Sequence, residues 1–230
     1  MRSYMTGGLL LGLALAGAAG AAEVFWEDFA ELARWTSRGT AGWELADVEA
    51  AAEGDPTRVL RLARPAPLPE GVRRPGDYQL ISGRVWRDVV YDVQVRSLRP
   101  ATLLGRDVVV IFGFQDYQHF YYAHLSNDSN GTVHNVIMKV NGDDPDPARQ
   151  RYRINVEDKP EPRLTDGWHQ VRIDHRADGR IKVYMGDMIE PLMTANDADY
   201  AQGQVGVTSF DDTAEFANVR VIGRVVAPGE

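Results

Sequence analysis

Alternation of apolar and polar side chains is clearest between residues 84 and 96. A period of two is the signature of a β-strand with one buried and one solvated face. Strands of this kind belong to antiparallel sheets that face water on one side. The alternating positions are the apolar Val85, Val89, Tyr91, Val93 and Val95 and the polar Arg84, Asp88, Asp92, Gln94 and Arg96.

Short strand-like segments recur along the rest of the chain, separated by Gly, Pro, Asn and Asp turns, and no long helical pattern interrupts them. Four prolines between residues 63 and 76 predict an extended loop at a rim, because proline cannot sit inside a sheet. Together the segments predict an all-β, two-sheet antiparallel sandwich. The predicted strands are 24–29, 42–52, 58–62, 84–96, 107–115, 119–125, 132–140, 152–156, 168–175, 180–185, 188–194, 204–210 and 215–222.

The first 22 residues have the build of a secretory signal peptide, with Arg2 ahead of an apolar run and a small-residue ending. We therefore expect a secreted or periplasmic protein. Residues 23–224 are predicted to form one domain, and residues 225–230 a C-terminal tail. No second apolar segment follows the first, so no membrane span is expected after removal of the signal.

Charge and cysteine content narrow the range of partners. The formal net charge is −8 and no block of Lys and Arg is present, which argues against a nucleic-acid or anionic-membrane partner. The chain has no cysteine, so neither a disulfide nor a lipidated cysteine is available. We expect a monomer.

Several motifs resemble the concanavalin A-like lectin and glucanase superfamily, which includes laminin-G-like modules and bacterial modules labelled as keto-disaccharide or glucan hydrolases. They are WHQVRI at 168–173, DGRIKVY at 178–184, GQVGV at 203–207 and FANVRV at 216–221, with weaker matches at 43–47 and 59–62. The resemblance implies a two-sheet jelly roll. It does not imply one chemistry, because this fold carries lectins, hydrolases, lyases and adhesive modules.

One departure from the superfamily concerns calcium. Many of its modules read FDNVRV near the end and hold a calcium ion, but Ala217 stands here where the aspartate would be. We expect no cofactor, with a structural calcium as the open alternative. Its candidate oxygen ligands are Asp28, Asp211, Asp212 and Asn218.

Three of the five histidines fall between residues 106 and 141. Residues 113–125, with His134 beyond them, resemble exported bacterial members of the superfamily without a settled activity. If His124 faces His134 across a hairpin, both share a face with Tyr122 and with Phe120, Val136 and Met138. Tyr122, His124 and His134 are then candidate acids and bases, or else hydrogen-bonded core residues. Two histidines without a third ligand do not make a zinc site.

The opposite face of this hairpin carries aromatic and hydrogen-bonding groups that suit a sugar. They are His119, Tyr121, Asn135 and Lys139, to which the polar face of the strand at 84–96 adds Arg84, Asp92 and Gln94. The resulting hypothesis is a carbohydrate-binding module that recognises an extracellular or cell-wall glycan on its concave sheet.

Two other functions remain open. The first is a glycan-degrading enzyme, either a lyase or a glycoside hydrolase, with a Tyr/His centre and Arg84, Gln115 or Asn135 neutralising a uronate carboxylate. The second is a structural or adhesive envelope protein. The face of the hairpin that is open to solvent should discriminate between catalysis on the even-numbered face and binding on the odd-numbered one.

Overall fold

The computed structural model of the protein describes residues 21–128, 134–155 and 163–226. Almost all of the expected signal peptide and the last four residues of the expected tail therefore lie outside the described residues. Within these ranges the chain forms fifteen strands and two short 3-10 turns, Leu32–Arg34 and Pro147–Arg149. None of the helices in the described ranges has the length and apolar composition needed to cross a membrane.

All strand pairs are antiparallel, and they form two sheets. The strands are β1 (Ala22–Glu27), β2 (Trp35–Ser37), β3 (Gly42–Asp47), β4 (Arg58–Arg64), β5 (Gln79–Ile81), β6 (Val85–Ser97), β7 (Asp107–Asp116), β8 (His119–Ser126), β9 (Val136–Asn141), β10 (Arg151–Arg153), β11 (His169–His175), β12 (Arg180–Met185), β13 (Met193–Asn196), β14 (Gln202–Thr208) and β15 (Ala214–Val226).

The first sheet runs β3-β4-β15-β6-β11-β12-β13, with β1 beside the second half of β15. The second sheet runs β10-β9-β8-β7-β14-β5-β2. Strand β14 links the two sheets, because its first residues, Gln202 and Gly203, pair with β6. The predicted all-β, two-sheet antiparallel jelly roll is confirmed.

The main core lies between the sheets and follows the predicted alternation from Val89 to Val95. Before Asp88, which has a positive φ of 51°, the phase is reversed and Trp86 lies in the core. The inward residues of β6, such as Tyr91 and Val93, pack in one cluster with Val110 and Phe112 of β7. Their polar neighbours Asp92 and Gln94 belong to the outer face of the first sheet, where they line an open cavity. The prediction that β6 has one buried face and one outer polar face is therefore confirmed.

Strand β7 is different, since every residue from Asp107 to Phe114 is buried. A second apolar cluster covers the outer face of the second sheet, and Leu68 and Val72 of the proline-rich loop pack against it. The loop predicted to lie at a rim instead lies over this face. A segment without free N–H groups at its prolines can shield apolar side chains without joining the sheet.

Some local predictions differ from the structure. His124 pairs with Val136 and not with His134, a shift of two residues that leaves every side chain on its predicted face. The strand predicted at 188–194 is observed as β13, at Met193–Asn196. The three-residue strands β2 and β5 were not predicted, because segments this short carry little periodicity.

Candidate functional site

A row of aligned residues crosses the outer face of the first sheet. Trp26 pairs with Arg220, Arg220 with Asp92, and Asp92 with Arg172, on four neighbouring strands. Residues directly opposite one another in antiparallel strands have side chains in contact range. The sheet therefore assembles this row from β1, β15, β6 and β11, which are far apart along the chain.

Asp92 is the centre of the row and is almost buried, at 6% exposure. Arg172 donates to both of its carboxylate oxygens, from Nε at 2.6 Å and from Nη2 at 3.2 Å. Arg220 donates to Oδ2 at 2.8 Å from Nη2 and at 3.3 Å from Nε. Two forked donors on one carboxylate fix all three side chains and leave the group with one surplus positive charge.

Amide side chains lie beside the charged row. Gln94 pairs directly with Gln170 across β6 and β11, and Asn218 Nδ2 donates to Gln94 Oε1 at 2.6 Å. Asn218 has a positive φ of 49° and lies at an irregularity of β15 between Ala217 and Arg220. Asparagine tolerates this conformation better than most residues, and the irregularity places a polar side chain on the outer face.

These side chains line an open cavity of about 430 Å³. Trp26 forms one wall of the cavity and is 55% exposed. Its neighbour Phe25 points into the core, so the exposure of Trp26 follows from its place on the strand. A rigid aromatic wall beside preorganised donors and acceptors is an arrangement that can hold a polar ligand with one apolar face.

The candidate catalytic side chains lie on the other sheet, beneath the second apolar cluster. Tyr122 is fully buried and His124 is 3% exposed. His124 stacks on Phe210 at 4.8 Å between ring centroids, and His134 meets the His124 ring edge-on at 5.1 Å. Neither Tyr122 nor His124 faces open solvent.

His124 is hydrogen-bonded through one of its two ring nitrogens, and its buried Nδ1 has no hydrogen-bond partner among the described residues. Its Nε2 lies 2.8 Å from Asp107 Oδ2, and Asp107 also accepts hydrogen bonds from Ser209 Oγ and from the Phe210 amide. Burial alone would raise the pKa of Asp107, but His124 and these two donors lower it below its ordinary value. Asp107 lies between serine and histidine, so the group lacks the Ser–His contact of a nucleophilic triad.

The opposite face of the hairpin is closed as well. Lys139 is 2% exposed, lies 2.9 Å from Asp197 and also contacts Asp199. Tyr121 donates to Asp197 Oδ1, and burial together with this hydrogen bond raises the pKa of Tyr121 well above its usual range. Asn135 is buried and accepts a hydrogen bond from the Ser126 amide. Apart from the partly exposed His119 at its end, the hairpin thus opens on neither of its faces.

The other predicted binding residues lie apart from one another. His119 is partly exposed, with Nδ1 2.9 Å from Asp116 and Nε2 3.5 Å from Asp143. Arg84 lies 5.2 Å from the centre of the Phe25 ring. Gln115 donates to the backbone carbonyl of Gln202. Only Asp92 and Gln94 of the predicted residues meet in the cavity of the first sheet.

Three of the four residues proposed as calcium ligands, Asp28, Asp212 and Asn218, have other partners. Asp212 accepts the Asp107 amide at 2.7 Å and pairs with Arg99 at 3.1 Å. Asp28 caps the Ala30 amide, and Asn218 donates to Gln94. In the part of the chain that the structure describes, no group of three or more His, Asp and Glu side chains could hold a metal ion.

Sequence reasoning missed five of the seven residues that line the cavity. Trp26 falls within a predicted apolar strand, although its parity opposite to Phe25 already places it outside the core. Arg172 and Gln170 alternate with Val171 and Ile173, a signal that was readable. The missed residues are Trp26, Gln170, Arg172, Asn218 and Arg220.

Comparison with solved structures finds proteins that share this fold. The carbohydrate-binding module CBM66 from Bacillus subtilis is 21% identical, with a TM-score of 0.53 over 81% of this chain and 94% of that one. A cellulose-induced protein, Cip1, is 14% identical, with a TM-score of 0.54 over 86% of this chain and 96% of that one. The β-agarase B from Zobellia galactanivorans is 12% identical, with a TM-score of 0.50 over 91% and 96% of the two chains.

These likenesses confirm the jelly-roll fold, and at such identities they establish the fold alone. Neither protein-family models nor curated proteins give a match to the chain.

Proposed function

We propose that this protein is an exported carbohydrate-binding module that holds a glycan, without cleaving it, in the cavity on the outer face of its first sheet. One observation carries the proposal: the exposed Trp26 stands beside the fixed Asp92 row in an open cavity of about 430 Å³. The glycan would then lie on the first sheet and not, as the sequence suggested, on the second sheet with the histidine hairpin.

The chemistry of a sugar ring suits this arrangement. A pyranose presents C–H groups on its faces and hydroxyl groups around its edge, so it can stack on an indole while its hydroxyls hydrogen-bond sideways. Arg172, Arg220 and the amides of Gln94 and Gln170 supply donors, and Asp92 and the amide oxygens supply acceptors. Because Asp92 is already held by two arginines, little side-chain entropy is lost on binding.

The comparisons support this class of function. Solved structures of the same fold include a carbohydrate-binding module and an agarase. The signal peptide predicted at residues 1–22 is consistent with a ligand outside the cytoplasm.

Binding to a panel of insoluble and soluble polysaccharides tests the proposal. Trp26→Ala should weaken binding about fivefold or more, because stacking and burial of a large aromatic contribute about 1 kcal/mol or more. Trp26→Phe should retain part of the affinity. Ile189→Ala is the matched control, since Ile189 is an exposed apolar residue at 83% and does not line the cavity. Equal affinity of wild type and Trp26→Ala for every retained glycan would refute the proposal.

A glycan-cleaving enzyme is the second candidate, and one observation favours it. Tyr122 Oη accepts a hydrogen bond from Arg151 Nε at 2.7 Å, which joins a tyrosine to a cation beside His124. Incubation with neutral and uronic polysaccharides, followed by absorbance near 235 nm and by reducing ends, separates the two candidates. We expect no product, because Tyr122 and His124 are buried. Product formation that is lost in Tyr122→Phe would establish the enzyme.

A further inference from the structure

A second cavity, of about 420 Å³, lies at the edge of the covered face of the second sheet. The proline-rich loop forms one wall and the segment that leads into β10 forms the other. Its lining residues are Gly71, Val72, Arg73, Pro147, Gln150 and Arg151. The charged side chains of this lining are two arginines, and no acid accompanies them.

The two arginines lack a carboxylate partner among residues 21–128, 134–155 and 163–226. Most arginines in these ranges form ion pairs, as Arg172 and Arg220 do with Asp92. Arg151 Nη2 is buried and has no hydrogen-bond partner in the described residues. An unsatisfied buried donor of a charged group costs free energy that a ligand oxygen would restore. In a chain of net charge −8, this pair of arginines is a local positive centre.

Aromatic residues fix the position of both guanidinium groups. The guanidinium carbons of Arg73 and Arg151 lie 5.3 Å and 5.7 Å from the centre of the same Phe210 ring. Tyr122 Oη accepts from Arg151 Nε at 2.7 Å, which orients its fork and leaves the Nη groups for another acceptor.

Nearby groups leave this positive charge uncompensated. Burial raises the pKa of Tyr122 to about 12, although the neighbouring arginines oppose the rise, so its hydroxyl is neutral at pH 7. Asp144, in the loop before Pro147, pairs with Arg149 at 3.5 Å. Asp107 is committed to His124.

We propose that this cavity binds the carboxylate of an acidic sugar residue, with Arg73 and Arg151 as its two cationic contacts. Guanidinium forks match the geometry of a carboxylate. The cavity lies within the size range of small-molecule sites and is larger than a bare oxyanion requires. Val72 and Pro147 offer apolar walls for the ring, and Gln150 adds an amide. This site is separate from the Trp26 cavity and does not depend on it.

The test compares two oligosaccharides of equal length, one of glucuronic acid and one of glucose, titrated calorimetrically into the full protein. The glucuronate should bind at least about tenfold more tightly at low salt and weaken as salt rises. Arg73→Gln should remove about tenfold or more of this affinity. Because Arg73 is exposed at the surface, this variant does not disturb the core. Arg151→Gln should have a similar effect.

Two control variants distinguish binding at the arginine cavity from binding elsewhere on the protein. Arg180→Gln removes an exposed arginine of the first sheet and should leave the affinity unchanged. Ile189→Ala, which alters an exposed residue that lines neither cavity, should likewise leave glucuronate binding unchanged. Trp26→Ala is scored on neutral glycans, so the two sites fail independently. Equal affinity for the two oligosaccharides, or unchanged glucuronate binding in Arg73→Gln, would overturn the proposal. Inorganic sulfate that binds as tightly as the glucuronate would reduce the site to a simple anion site and overturn its sugar specificity.

Discussion

The buried position of His175 can be tested through the pH dependence of the free energy of unfolding. Its ring is 2% exposed and packs edge-on against Phe112 and Tyr121, at 5.4 Å and 5.6 Å between ring centroids. Its Nε2 is buried without a hydrogen-bond partner among the described residues. Burial lowers the pKa of His175 from 6.5 to about 4, since the imidazolium would have to lose its hydration.

The sign and size of the effect follow from linkage. The unfolded chain takes up a proton near pH 6.5, whereas the folded protein resists protonation until about pH 4. The contribution of the neutral ring is therefore complete above pH 6.5 and is lost progressively as the pH falls toward 4. Between pH 7 and pH 4.5 the loss amounts to about 2 kcal/mol of unfolding free energy.

Urea denaturation of wild type and His175→Phe at pH 7, 5.5 and 4.5 measures this contribution. Phenylalanine keeps an aromatic ring in the site and cannot titrate. Burial also lowers the pKa values of His134 and His169, so wild type and variant share their pH dependence. The difference in unfolding free energy between the two proteins isolates His175. It should shift by about 2 kcal/mol in favour of His175→Phe as the pH falls, because only wild type loses the contribution of the neutral imidazole. Parallel pH profiles would refute the reasoning.

Three further predictions concern stability. Lys139→Met should lower the free energy of unfolding by about 3 kcal/mol, because Asp197 loses the cation that compensates its burial. Adding Asp197→Asn should restore part of the loss, as measured by urea denaturation in a double-mutant cycle. Phe210→Ala should cost about 3–5 kcal/mol in thermal or urea unfolding, because the ring is 1% exposed and packs on His124; a loss below about 1 kcal/mol would mean that the site collapses without a cavity. Gly203→Ala should lower the free energy of unfolding by about 1–3 kcal/mol or more, since the added Cβ would lie 2.3 Å from the carbonyl carbon of Gly113 on the neighbouring strand. A melting temperature equal to that of wild type would contradict this close approach.

The sequence anticipated the fold well because strand periodicity is a local property. The alternation in residues 84–96 identified β6, and it also placed Asp92 and Gln94 on a solvated face. The predicted pairing of the histidine hairpin was off by two residues, but the assignment of side chains to faces was unchanged, since a strand repeats every two residues. Motifs such as WHQVRI and DGRIKVY located β11 and β12.

The candidate site was harder to predict because its residues come together only across strands. Trp26 and Arg220 are nearly two hundred positions apart, yet they are direct neighbours through β1 and β15. Histidines are candidate acids and bases because imidazole ordinarily titrates near neutral pH, but His124 and Tyr122 are buried. Residue type alone does not reveal whether a titratable group is covered.

By itself the sequence determined most of the strands and the face on which each meets the core, because hydrophobic periodicity acts within each segment. The resemblance of its motifs to a known superfamily added the jelly-roll class. The tertiary structure decided which outward faces meet solvent. The proline-rich loop and Phe210 close the outer face of the second sheet, while the first sheet leaves Trp26 and Asp92 open. That choice depends on contacts between segments remote in the chain, so no local pattern records it.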